Sequence, residues 1–351
     1  MRADRLPMLR VGIPEVTGSL PLAAERLDVP VLISASRLWD AKRQRFREPG
    51  RVTWDLDIAL DSAGFTAMKA WGGCFPWDTR SYCLLGVSHP WSWWSQPDLC
   101  CEPEIASSPA EVARRVGRSA ELLAEANEIA EGLIQRICLD LALEVSASQY
   151  AGCVERMRRP MPILQGWRPE DYVRSIERID DVLGGRWPAL VGVGSVCRRH
   201  LHGEAGLLEI LKVLDANLPA HVSIHLFGVK GQAFSWLGPW LHRIESVDSM
   251  AWDFAARRTQ RDRPDTMRPI DWRAEQMARW VEQQRQRLIG LYRHAASEEL
   301  MEGLVGAVQA RLPASGISLE ELDRFLEQHR EQLRLGLAQE IPVALAQRAL
   351  R

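Results

Sequence analysis

Short apolar runs alternate with amphipathic stretches over residues 29–258. Val29–Ser34 (VPVLIS), Asp57–Leu60, Met161–Leu164, Ala189–Val193, His221–Phe227 and Ile244–Val247 are rich in β-branched residues and end in turn residues, the pattern of buried strands. Tyr82–Val87 and Trp91–Trp94 are two further apolar runs, of which at least one is expected to be a strand. Between the runs lie stretches with helical periodicity. One runs through Met68, one spans Pro109–Gln135, one opens at Pro169 and reaches about Leu183, and one spans Gly206–Leu214. Ser107 or Ser108 ahead of Pro109 supplies an N-cap followed by a proline at the first turn. Ile137–Ala142 either continues that helix or forms a strand, and residues 1–28 read as an irregular entry segment.

Strands alternating with helices predict a parallel α/β sheet. If both doubtful runs count there are eight, so the expected fold is a TIM (β/α)8-type barrel over residues 1–270. Beyond Pro269 the pattern changes. Trp272–His294, Ser297–Arg311, Leu319–Gln328 and Arg330–Gln347 all combine helix-period apolar positions with dense charge, which predicts a helical C-terminal extension over 271–351.

Composition narrows the class. No apolar run is long enough to span a membrane, and the first residues lack the basic-then-apolar pattern of a signal peptide, so a cytoplasmic protein is expected. Seven cysteines without framework spacing fit a reducing compartment. The net charge is only −2, yet of the 44 basic residues just Lys42, Lys69, Lys212 and Lys230 are lysines. Arginine holds phosphate through two parallel donors, although a bias of this kind also follows from a GC-rich genome.

In a parallel barrel, side chains at the C-terminal strand ends face the active site. Six such ends carry polar or glycine-rich turns: LDSAGF at 60–65, PDLCCEPE at 97–104, ILQGW at 163–167, VGVGSVCRR at 191–199, HLFGVK at 225–230 and SVDSMAW at 246–252. Asp248 in the last of them is the first candidate for a catalytic residue, with a plain helix N-cap as the competing role.

Taken in order, these turns resemble the tRNA-guanine transglycosylases, and more closely their relatives that place deazapurines in DNA. LDSAGF is similar to the motif holding the general acid/base and a base-stacking aromatic, which implies those roles for Asp61 and Phe65, with Ala63 in place of a glycine. The resemblance assigns base reading to Gln165 and Gly166, a backbone contact to Gly194, and packing on the base to Phe227 and Gly228. It makes Asp248 the nucleophile and Asp98 the acceptor of guanine's N–H donors, although Asp98 reads equally well as a turn residue after Pro97. The zinc site of the tRNA enzymes has no counterpart, because no cysteine follows Cys197. Adjacent Cys100 and Cys101 are poor tetrahedral ligands, so neither metal nor cofactor is expected.

The chemistry the resemblance implies is exchange of guanine in DNA for a 7-deazaguanine, such as the 7-cyano form, through a covalent glycosyl-aspartate. A carboxylate nucleophile splits the exchange into two displacements, and a second carboxyl moves the protons. Arg198, Arg199, Arg257 and Arg258 lie just past strand ends, where a nucleic-acid backbone would run. A base within a duplex must first leave the stack. Since the chain has no phosphate-binding loop of the P-loop type, an ATPase partner that opens DNA is expected. The alternatives are the same exchange on tRNA, a hydrolytic glycosylase, and a non-catalytic barrel that binds nucleic acid or a base.

Overall fold

The computed structural model describes residues 6–50, 56–144, 146, 157–197, 199–262, 269–315 and 318–341. Its strands are β1 (Met8–Ile13), β2 (Val31–Ser34), the antiparallel pair β3 (Trp39–Asp40) and β4 (Arg45–Phe46), β5 (Ile58–Asp61), β6 (Ile163–Leu164), β7 (Leu190–Val193), β8 (Ser223–Leu226) and β9 (Ile244–Ser249). Seven of them form one parallel sheet in the order β5-β2-β1-β9-β8-β7-β6, curled as a half-barrel. Helices α1 (Ser19–Arg26), α2 (Gly64–Ala70), α3 (Thr79–Val87), α4 (Pro109–Glu144), α5 (Pro169–Leu183), α6 (Leu207–Asn217) and α7 (Ala251–Asp262) follow or separate the strands. Two more, α8 (Pro269–Ser315) and α9 (Leu319–Glu340), complete the order.

The entry segment is not irregular. Within it β1 occupies the centre of the sheet between β2 and β9, and Ser19–Arg26 is helical. The strand is hard to read because an arginine and a glycine interrupt its apolar run. Arg10 is buried, donates to the Asp57 carboxylate at 2.8 Å, and sets its guanidinium 5.5 Å from the Trp93 ring centroid. A Cβ on Gly12 would stand 2.3 Å from Met250 Cγ.

The two doubtful runs part ways. Tyr82–Val87 falls in α3, whose N-cap Asp78 accepts from the Ser81 N–H at 2.6 Å. A short, uniformly apolar run has no periodicity to separate helix from strand. Trp91–Trp94 is extended but joins the sheet only through isolated parallel bridges, Leu60 to Trp94 and Ser95 to Met161. Backbone bonds from Ser95 N–H to Leu60 (2.9 Å), Met161 N–H to Trp94 (2.7 Å) and Gln96 N–H to Met161 (3.0 Å) tie this segment to the regions of both edge strands. Of the eight strands expected, six lie in the sheet, Trp91–Trp94 only bridges it and Tyr82–Val87 is helical, while the seventh strand of the sheet, β1, was not among them; the expected barrel is a curled seven-stranded half-barrel.

Leu32, Ala59, Trp93, Met161 and Ile163 form an inner apolar cluster, joined by Phe227. Two larger clusters lie between strands and helices, and α8 enters both, with Met277 and Val281 in one and Leu288 and Leu291 in the other. A fully buried leucine stabilises by roughly 1.5–3 kcal/mol, so this helix is bound to the α/β unit by its own apolar face. The four helical stretches expected after Pro269 merge into two, and the expected boundary at 270/271 falls in the first turn of α8. The expectation for residues 342–347 lies outside the described residues. Among the described residues no helix is long and apolar enough to cross a membrane.

Candidate functional site

Every polar turn singled out in the sequence sits at the C-terminal end of a strand or just beyond it. Asp61 ends β5, Gln165 follows β6, Gly194 and Ser195 follow β7, Phe227 and Gly228 follow β8, and Asp248 is the penultimate residue of β9. Asp98 comes shortly after the bridging segment. Because the strands are parallel, these ends lie along one end of the sheet.

Three carboxyl groups meet there. Asp61 accepts the Ala63 N–H at 3.0 Å, and Ala63 takes a left-handed φ of 75° to start α2. Burial, followed by the charges of Asp98 and Asp248, pushes the Asp61 carboxyl up from 3.8 to about 7. Asp98 is buried and pushed up to about 6, chiefly by burial. It accepts the Ser62 hydroxyl at 2.5 Å and the Gln165 side-chain amide. Gln165 in turn accepts from the Ser195 hydroxyl at 2.6 Å. Ser195, with a left-handed φ of 53°, also lies 3.0 Å from a Glu102 carboxylate oxygen and accepts the Cys101 N–H at 2.7 Å. The Gln165 amide is therefore oriented: its oxygen is held by Ser195, while its nitrogen faces Asp98. A second N–H on that nitrogen remains to meet a carbonyl. Gly194 is needed for this close fit, since a Cβ there would stand 2.2 Å from the Gln165 amide nitrogen. Gly166 fits against α5 in the same way, with Asp171 Cβ 2.8 Å from where its own Cβ would be.

Asp248 Oδ1 accepts the Gly228 N–H at 2.8 Å, a bond reached through the left-handed φ of 66° at Gly228. His225 Nε2 lies 3.4 Å from the same oxygen. The Asp248 carboxylate, whose competing reading is a helix N-cap, is thus held by a backbone N–H of the turn after β8. A cleft of about 360 Å³ opens nearby between the loops after β7 and β8, lined by Val196, His200, His202, Val229 and Lys230 among others.

Several expected site residues stand differently. Phe227 packs into the inner apolar cluster, with its ring centroid 6.0 Å from Trp93 and 4.6 Å from His225, both edge-on. Phe65 is partly buried on α2, with the Lys69 ammonium 5.9 Å from its ring. Arg199 requires a correction: it is buried and clamps carbonyls. Its guanidinium donates to Ser195 (2.9 and 2.6 Å), Trp167 (2.5 Å), Ala205 (2.7 Å) and Gly166 (3.2 Å), and lies over the Trp167 ring at 4.0 Å. With its donors committed inside the fold, it offers none to a phosphate. Arg199→Ala is expected to destabilise the protein by about 3 kcal/mol or more, because several buried carbonyls lose their donor together. Arg199→Lys should rescue little, since an ammonium cannot reproduce the planar fork. Urea unfolding of the two variants checks both statements.

Arg257 and Arg258 are exposed on α7, and Arg257 pairs with Asp253 at 2.9 Å, a carboxylate shared with Arg273 at 2.7 Å. Arg198 lies outside the described residues. No group of three or more metal-ligating side chains occurs among the described residues. Cys100 and Cys101 are buried thiols whose ionisation is pushed upward, first of all by burial.

With this geometry in place, one comparison bears on the chain. The family described as DpdA: DeoxyPurine in DNA protein A has a model that matches residues 142–297. No curated protein matches the chain. The DpdA match takes in Gln165, Gly194, Phe227, Gly228 and Asp248, whereas Asp61 and Asp98 precede it. Asp61 ends β5 and Asp98 follows the bridging segment, and the charges of Asp98 and Asp248 both act on Asp61.

Sequence reasoning gave no role to the side chains of Ser62, Glu102, Ser195 and His225. Nothing local marks the first three, because their partners are distant in sequence: Ser195 reaches back to Glu102 and Ser62 forward to Asp98. His225 is legible as one of two polar residues in β8, alternating with Ile224 and Leu226, the other being Ser223.

Proposed function

We propose that this protein exchanges guanine in DNA for a 7-deazaguanine base. The observation that carries the reading is the trio of carboxyls, Asp61, Asp98 and Asp248, at one set of strand ends, with Asp61 pushed up to about 7. A carboxyl with that affinity is half protonated near neutral pH, as a group that both gives and takes a proton must be. Asp248 attacks C1′ of the deoxyguanosine, the C1′–N9 bond breaks, and guanine leaves with the proton of Asp61. The incoming base then loses its N9 proton to Asp61 and displaces Asp248 from C1′. Asp98 accepts the N–H donors on the guanine edge, and the spare Gln165 N–H meets the 6-oxo group. A purine with a 6-amino group presents a donor to that N–H and is rejected.

The DpdA match, with deoxypurine in DNA in its description, favours DNA over tRNA as the substrate. Arg257 and Arg258 are exposed where they can meet the backbone. With the bridging segment counted as a stave, eight strands are available to the (β/α)8 barrel proposed as the frame for such chemistry. Moving a base out of a duplex costs a few kcal/mol, and a DNA-opening ATPase is the proposed partner for that step.

Mass spectrometry of nucleosides from DNA and from tRNA, in cells with and without the gene, tests the reading. A deazaguanine nucleoside that depends on the gene and occurs in DNA is the expected result. Its appearance in tRNA alone moves the substrate to RNA. Alkali-labile abasic sites without a new nucleoside make the protein a hydrolytic glycosylase. Binding of DNA or base with no exchange of labelled guanine makes it a binding module.

A further inference from the structure

His225 is fully buried at the end of β8. One ring nitrogen, Nδ1, lies 2.7 Å from the Ser246 hydroxyl. The other, Nε2, has no good hydrogen-bond partner and lies 3.4 Å from Asp248 Oδ1. Trp93 and Phe227 enclose the ring, with centroids 4.8 and 4.6 Å away. A buried nitrogen left without a partner costs stability, so a core histidine aims its spare nitrogen at a polar group. This one turns it toward the carboxylate read above as the nucleophile.

We infer that His225 is a positioning residue for Asp248, acting as a neutral imidazole that carries its proton on Nε2 and receives the Ser246 hydroxyl at Nδ1. The inference rests on the reading of Asp248 as the nucleophile. Its logic is one of hydrogen-bond polarity. A nitrogen facing a carboxylate must be a donor, and a neutral imidazole has a single N–H. Nδ1 is then an acceptor, so the hydroxyl of Ser246 donates to it and fixes the tautomer. Enclosure disfavours the imidazolium, and burial is the main cause that lowers the His225 pKa, with the Arg10 guanidinium adding to it and Asp248 opposing it.

The consequence falls on the two oxygens of Asp248. Oδ1 receives the Gly228 N–H and, once the contact shortens, the His225 N–H, so Oδ2 is left for C1′. At 3.4 Å the contact is long for a hydrogen bond, and catalytic contacts of this length tighten in the Michaelis complex. Both donors orient the carboxylate beside two other acids. They also stabilise the charge that returns to it when the glycosyl bond breaks in the second displacement.

Two variants and one spectrum test this. His225→Leu removes the donor, and His225→Gln carries an amide N–H toward Asp248. The leucine variant is expected to lose about 10²-fold in kcat for exchange of labelled guanine, with KM for DNA and base little changed. The glutamine variant should recover at least a tenth of the wild-type rate. Equal losses in both, or a loss confined to KM, would overturn the assignment. Nitrogen-15 imidazole spectra need no turnover and cover the case of an unfolded leucine variant, with the His225 signal identified by its absence in His225→Gln. An Nε2-protonated neutral ring whose resonance moves in Asp248→Asn is expected, and an Nδ1-protonated ring or an unmoved resonance overturns the proposal. If wild-type protein exchanges no base, the functional reading fails, while the spectrum still decides the tautomer and the contact.

Discussion

Asp248→Asn is expected to slow base exchange by at least about 10⁴-fold, the scale on which loss of a nucleophile acts, and to abolish any covalent DNA–protein adduct. The substitution is nearly isosteric. An asparagine oxygen still accepts the Gly228 N–H that now reaches Asp248 at 2.8 Å, so the turn after β8 keeps its anchor and DNA binding should persist. What disappears is the ability to bond to C1′, because a neutral amide is a poor nucleophile. Single-turnover assays with labelled guanine, read alongside denaturing gels for the adduct, check both parts. Exchange at the wild-type rate by this variant would remove the central role of the residue.

Asp61→Asn should cost about 10²–10⁴-fold in exchange and change the pH profile with it. On the proposed mechanism Asp98, pushed up to about 6, is ionised to accept N–H donors, and Asp61, pushed up to about 7, is protonated to release guanine. Activity then peaks between those values, as properties of the coupled group. The variant loses the alkaline limb. Stability moves the other way. The folded-state pKa of Asp61 lies above its ordinary 3.8, so its contribution is fully present below about 3.8 and is lost as pH rises through about 7. At pH 8 the wild-type protein holds a crowded, desolvated charge that asparagine removes. The variant should therefore be the more stable by a few kcal/mol at pH 8, with the advantage shrinking toward pH 5. Urea titrations across that range measure it, and a gain that does not depend on pH would mean that Asp61 titrates elsewhere. Loss of activity with a gain in stability is the pattern of a site whose charges are held together against repulsion.

Wherever the signal was local, the sequence carried it. The strands β2, β5, β7, β8 and β9 are short β-branched runs closed by turn residues, and α4 announces itself with Ser108, Pro109 and a long periodic stripe. The strand ends that hold Asp61, Gln165, Gly194, Gly228 and Asp248 were legible for the same reason: a turn is written in its own few residues. The entry strand β1 was not, since Arg10 and Gly12 make sense only beside Asp57, Trp93 and Met250. Tyr82–Val87 and Trp91–Trp94 were interchangeable as apolar runs, and only the partners available to each backbone made one a helix and the other a bridge.

The sequence by itself determined which side chains arrive at the ends of the strands, because period, turn chemistry and capping act over a handful of residues. What each side chain does on arrival was decided by tertiary structure. Arg199 became a clamp for carbonyls rather than a phosphate contact, Phe227 joined the inner cluster, and Gln165 was locked between Asp98 and Ser195. Those outcomes depend on burial and on partners tens of residues away, and a buried polar group takes whichever partner the fold brings within reach.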